Sequence, residues 1–146
     1  MKKLYFVPFL LFSVLAHSQK QTETKEQQAY LELMNEGDSF FDAGKIKESI
    51  AAFTKAIAKM PDAPDAYYGR GLVYFENSEF HNAIADFTKI IELGSDNTAG
   101  GYFMRGLSKM QIKEMETDSC TDLKKAKELQ YPADWAMYRN ICPDLK

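Results

Sequence analysis

Slid against itself by 34 residues, this 146-residue chain repeats its own pattern. At that offset Gly37 meets Gly71, Phe40 meets Tyr74, Ile46 meets Phe80, Ile50 meets Ile84 and Phe53 meets Phe87. At an offset of 35, Tyr67 meets Tyr102, Arg70 meets Arg105 and Gly71 meets Gly106. The shift has grown by one again at Leu123, which aligns with Phe87, so one residue is inserted within Gln111–Asp118. Each copy reads as two amphipathic helices around a tight break. In the central stretch, Tyr67, Gly71 and Tyr74 keep helical spacing, Asn77–Glu79 interrupts, and Ala83, Phe87 and Leu93 resume it. No segment alternates with period two, so no strand is expected. One helix pair cannot bury its own apolar face, and about three must stack. The length allows three copies, at 30–63, 64–97 and 98–131, and an end cap at 132–146.

Start and stop signals mark the elements. Residues 19–29 are a loose polar lead-in passing into the first helix, and Thr24-Lys25-Glu26-Gln27 has the spacing of a capping box. Gly44 suits a left-handed helix stop, and Pro61 lacks the amide to continue the second helix. Asp62 and Pro64 open the central pair, and Asp96 or Asn97 caps the third. Pro132 starts a final short helix with Trp135, Tyr138 and Ile141 on one stripe.

The N-terminus reads as a leader. Lys2 and Lys3 precede a 13-residue apolar run, Leu4–Ala16, and Ala16-His17-Ser18 presents small residues where a signal peptidase reads them. Residues 1–18 are therefore expected to be a signal peptide. The run is too short for the roughly 20 residues a membrane span needs, so no stable membrane insertion is expected after cleavage. Removing the leader takes away two of the 18 basic side chains and none of the 21 acidic ones, leaving a net charge of −5. A nucleic-acid binder needs a concentrated basic face, and Lys124, Lys125 and Lys127 spread around a helix instead. Nucleic acid is not an expected partner.

Catalytic chemistry finds little to use. Beyond the leader the only histidine is His81, in a turn between Glu79 and Asn82, where a solvated surface residue is the plain reading. One histidine and two distant cysteines cannot make a zinc site of the usual ligand count. Gly100-Gly101 is an isolated pair and no phosphate loop. No enzyme, metal or cofactor is expected. Cys120 and Cys142 have 21 residues between them. In an oxidising compartment they are a disulfide candidate, with two buried apolar thiols as the other reading.

The 34-residue helix–turn–helix period resembles the tetratricopeptide repeat (TPR) family over about Tyr30–Tyr131. Leu33, Gly37, Phe40, Ser49, Phe53, Ala56 and Pro61 occupy its signature positions in the first copy. Tyr67, Gly71, Tyr74, Ala83, Phe87 and Ile90 do so in the second, with Ser95 replacing the proline. The third departs most, with Lys109 where an aromatic is usual. The resemblance implies an all-α fold, a right-handed α-solenoid of three TPR helix-turn-helix repeats with a C-terminal capping helix. It is similar, more loosely, to small exported bacterial proteins with a Cys-bearing last helix. That implies a periplasmic or secreted interaction module and a Cys120–Cys142 link.

In the family the first helix of each repeat lines a concave groove. Its groove positions fall here on Met34, Asp38 and Phe41, on Tyr68, Leu72 and Phe75, and on Phe103, Leu107 and Met110. Burying one such apolar side chain contributes about 1.5–3 kcal/mol, so a few would hold an extended or helical peptide. Asp38, Asp42 and Glu76 give the rim an acidic cast. Family members that clamp the C-terminal carboxylate of chaperones need Lys, Asn or Arg at defined positions. Here those hold Met34, Asp38, Gly69, Gly100 and Met104, none of which donates to a carboxylate. The expected partner is a protein or peptide in the groove. The alternatives are a groove filled by the chain's own terminus and a self-association surface.

Overall fold

The helical period of the sequence is realised as six α-helices. The computed structural model describes residues 9–143 and Leu145, and side chains from Thr24 onward with Glu116 excepted. The helices are α1 (Phe9–Asp42), α2 (Ile46–Lys59), α3 (Pro64–Glu76), α4 (Phe80–Leu93), α5 (Thr98–Met110) and α6 (Glu116–Glu128). Two 3-10 turns, Lys113–Met115 and Trp135–Tyr138, complete the described elements, and no strand occurs among them. Each helix packs on the next, and α1 also reaches α3. That is a right-handed solenoid of three helix pairs, with α1, α3 and α5 on the concave side.

Two N-terminal expectations change. Residues 1–8 of the expected leader lie outside the described residues, and Phe9–Ser18 runs without a break into α1. The lead-in at 19–29 is helix as well. From Phe9 to Glu36 the sequence holds neither glycine nor proline, so nothing stops the helix. Thr24 therefore sits inside a helix, where there are no orphan amides for a capping box to satisfy. Among the described residues, no helix is long and apolar enough to cross a membrane.

The turns within the first two pairs share one geometry. Gly44 adopts φ 69°, and the Lys45 amide donates back to the Phe40 carbonyl at 2.8 Å. Ser78, at φ 61°, does the same without a glycine, with Glu79 donating to Tyr74 at 2.8 Å. The third pair differs, because Lys113–Met115 forms its own 3-10 turn before α6 starts. The extra residue of the third repeat is accommodated there.

Packing is tightest where an aromatic ring meets a glycine. A Cβ built on Gly37 would lie 2.8 Å from the Phe53 ring, and one on Gly69 2.6 Å from it. One residue of the next helix pair and one of its own thus yield to a single buried ring. A Cβ on Gly71 would come within 2.8 Å of Phe87. These close approaches let α1, α2 and α3, and then α3 and α4, share one core.

The C-terminal segment is not the expected α-helix. Only Trp135–Tyr138 is helical, as a 3-10 turn in which the Asp134 carboxylate accepts from the Ala136 amide at 3.1 Å. Ile141 leaves the stripe and is exposed. The segment is held at both ends. Its aromatics lie on α5, and a disulfide joins Cys142 to Cys120 of α6 with 5.4 Å between their Cα atoms. About one helical turn fits between those anchors, too little to propagate an α-helix. Leu145 and Cys142 are buried in the main core with Leu123 and Ala126.

Candidate functional site

The concave face is assembled one residue out of phase with the core. On α3, Tyr67 and Gly71 are buried while Tyr68, Leu72 and Phe75 are half-buried on the face one step round the helix. Tyr68 meets Phe87 edge-on with centroids 6.0 Å apart, and Phe75 meets Phe80 the same way at 5.7 Å. On α1, Met34 is half-buried against the Tyr30–Ala56–Ala66 cluster, Phe41 is half-buried and Asp38 is exposed. On α5, Leu107 and Met110 are half-buried.

Phe103 requires correction as an accessible groove residue. It is 9% exposed. Tyr131 stacks on it with centroids 4.5 Å apart, and Trp135 and Tyr138 each meet it edge-on at 5.9 Å. Gly100 leaves room for this, since a Cβ there would lie 3.5 Å from the Tyr131 ring and 3.8 Å from Tyr68. The C-terminal segment thus closes the groove over the start of the third repeat, while Leu72, Phe75, Leu107 and Met110 stay outside that lid. Burial, with Tyr131 alongside, pushes the Tyr68 phenol above its ordinary value. Leu31 is an addition at the other end. It is 51% exposed and lies one helical turn before Met34, extending the apolar row of α1.

The basic side chains of α3 and α5 have other work. Arg70 donates from Nε and Nη2 to the two carboxylate oxygens of Asp86 at 2.9 and 2.7 Å, and from Nη1 to Thr54 of the preceding pair at 2.9 Å. Arg105 repeats this on Asp122 at 2.8 and 2.7 Å and on Thr88 at 3.2 Å. Each arginine therefore ties its own helix pair to the one before. Lys109 adds a second cation to Asp122, at 2.8 Å, which accounts for a lysine standing where an aromatic is usual. Burial pushes the Asp86 carboxyl above the ordinary carboxylate range, and Arg70 pulls it part of the way back.

His81 is exposed beside Ser78, Glu79, Asn82 and Ile112. Among the described residues, no group of three His, Cys, Asp or Glu side chains could hold a metal ion.

Family models match the middle of the chain. A family model described as TPR repeat matches residues 37–78, and one described as tetratricopeptide repeat matches residues 64–97. Residues 37–97 are tetratricopeptide repeats. Hsc70-interacting protein 1 of Drosophila melanogaster is 31% identical over 131 residues, covering 89% of this chain and 34% of that protein. The chain spans about a third of the length of the first curated relatives it matches. Among solved structures, the first TPR of Spaghetti (RPAP3) bound to the HSP90 peptide SRMEEVD superposes with a TM-score of 0.71 at 24% identity, covering 81% of this chain and 94% of that one. The second TPR domain of human RPAP3, in complex with the HSP70 peptide SGPTIEEVD, gives 0.70 at 18% identity, covering 82% and 97%. At these identities the likeness is one of fold. It extends the tetratricopeptide architecture over all three helix pairs.

Proposed function

We propose that this chain is a non-enzymatic protein–protein interaction module that holds a peptide or protein segment in its concave groove. The observation that carries the proposal is the row of partly exposed apolar side chains on adjacent inner helices, Leu31, Met34 and Phe41 beside Tyr68, Leu72 and Phe75. Large apolar side chains left half-open on a rigid face are the usual anchors of recognition surfaces. Neighbours of the same fold were solved with peptides bound. Those peptides end in acidic residues and a free carboxylate. The positions that would clamp such an end hold Met34, Asp38, Gly69, Gly100 and Met104 here, so this groove suits a different peptide class. The lid of Tyr131, Trp135 and Tyr138 makes the chain's own terminus the occupant over Phe103 and leaves the first two repeats for a partner.

The experiment is a pull-down with the protein lacking residues 1–18, from an extract of the compartment it occupies, repeated with Tyr68→Ala/Phe75→Ala. Retained partners should be lost from the variant. An unchanged set would remove the groove from the function, and capture only of the chain itself would support self-association instead.

The same proposal puts the module in the bacterial envelope or outside the cell, and the expected leader at residues 1–18 supports it. A disulfide and a Lys-Lys start followed by an apolar run both fit an exported chain. Intact-mass measurement of protein from its native host should find the N-terminus at Gln19. A full-length mass retained in the cytoplasm would overturn this.

A further inference from the structure

The groove carries an electrostatic pattern that identifies its partner's chemistry. From Tyr30 to Asp42, α1 contains no basic residue, and the bases of α3 and α5 are Arg70, Arg105 and Lys109. All three are consumed by Asp86 and Asp122 on the outer helices. The acids of the groove have no such partners. Asp38, Asp42 and Glu76 are exposed, and no ion pair to any of them exists among the described residues.

Their placement works against the fold. Asp42 and Glu76 are the last residues of α1 and α3, where the helix dipole already presents partial negative charge, and neither last turn contains a base. By contrast α2, α5 and α6 carry lysines in their last turns. Asp38 lies four residues before Asp42, the spacing at which like charges on a helix repel. Burial and then Asp42 raise the Asp38 carboxyl above its usual range. Acids kept at three unfavourable positions, beside Phe41, Leu72 and Phe75, have a ready use as counter-charges for a ligand.

We infer that the groove over the first two repeats receives a cationic segment of another protein, with apolar side chains on Phe41, Leu72 and Phe75 and basic side chains on Asp38, Asp42 and Glu76. The inference rests on the groove reading and adds the sign of the partner. A second copy of this chain fits poorly, because its formal net charge is −3 and like charge would meet like.

The test uses three synthetic dodecapeptides with Leu and Phe at identical positions and Lys, Gln or Glu at all others. Binding to the protein lacking residues 1–18 is read by fluorescence polarisation at low and high salt. The Lys peptide should bind at least about tenfold more tightly than the Gln peptide, and more weakly as salt rises, with no binding of the Glu peptide. Asp38→Asn/Asp42→Asn/Glu76→Gln should weaken the Lys peptide about tenfold. The same variant should melt about 1–3 °C higher, because unfavourable charges have gone. Equal or tighter binding of the Gln or Glu peptide would sink the charge inference while leaving the groove intact. Binding of the Lys peptide that survives both the neutralised variant and Phe75→Ala would overturn it as non-specific attraction. No binding by any peptide would overturn the inference together with the groove reading.

Discussion

Phe87→Ala is expected to lower the unfolding free energy by about 3–5 kcal/mol. The ring is 0% exposed and lies on α4, at the centre of the main core. It fills the space that Gly71 leaves open, supports Tyr68 edge-on, and belongs to the middle pair, which has a neighbour on each side. Solenoid stability is approximately a sum of repeat and nearest-interface terms, and this residue lies within its own repeat on the helix that packs against the next one. Whole domains are stable by only about 5–15 kcal/mol, so the loss is a large share of the total. Urea unfolding followed by circular dichroism reads it directly. Phe53→Ala should behave similarly through α1, α2 and α3, since that ring is 1% exposed between Gly37 and Gly69. A shift below about 1 kcal/mol for Phe87→Ala would mean that Gly71 and its neighbours collapse freely into the space, contrary to the tight packing described.

What could be read from the sequence follows a physical division. Positions fixed by local period were legible, because a glycine that must face a ring recurs with that ring in the first two copies, and Gly106 faces Leu123 in the third. Gly37 with Phe53 and Gly71 with Phe87 are the examples. Contacts between distant side chains were harder to read, although the repeat held their trace. Arg70 and Arg105 align at 35, Thr54 and Thr88 at 34, and Asp86 and Asp122 at 36, yet only the structure joins the three into one recurring tie. Phe103 shows the opposite case. The family's groove positions put it on the concave face, but its exposure depends on Tyr131, Trp135 and Tyr138 arriving from beyond α6. Thr24 failed for another reason, since a capping sequence has meaning only where a helix begins.

Asp122→Ala is expected to cost about 3 kcal/mol, because it strands two cations in a partly buried site. The carboxylate side chain is 4% exposed and accepts from Arg105 Nε, Arg105 Nη2 and Lys109 Nζ at 2.8, 2.7 and 2.8 Å. Bidentate, charge-assisted pairing of this kind is strong only while all its members are present. Arg105 also reaches Thr88 on α4, so the loss should loosen the joint between the second and third repeats. Among the described residues, no other acidic side chain pairs with Arg105 or Lys109. Replacing the whole cluster by apolar residues should be far milder, because no charge is then left unpaired. Arg105→Met/Lys109→Met/Asp122→Leu is accordingly expected to recover most of the stability lost in Asp122→Ala. Thermal unfolding of the two variants against the parent separates a cluster that stabilises from one that only avoids a penalty. If Asp122→Ala costs less than about 1 kcal/mol, water already satisfies both cations. If the triple variant is as unstable as the single one, the cluster contributes net attraction, and Lys109 is a stabilising replacement for the aromatic of the other repeats.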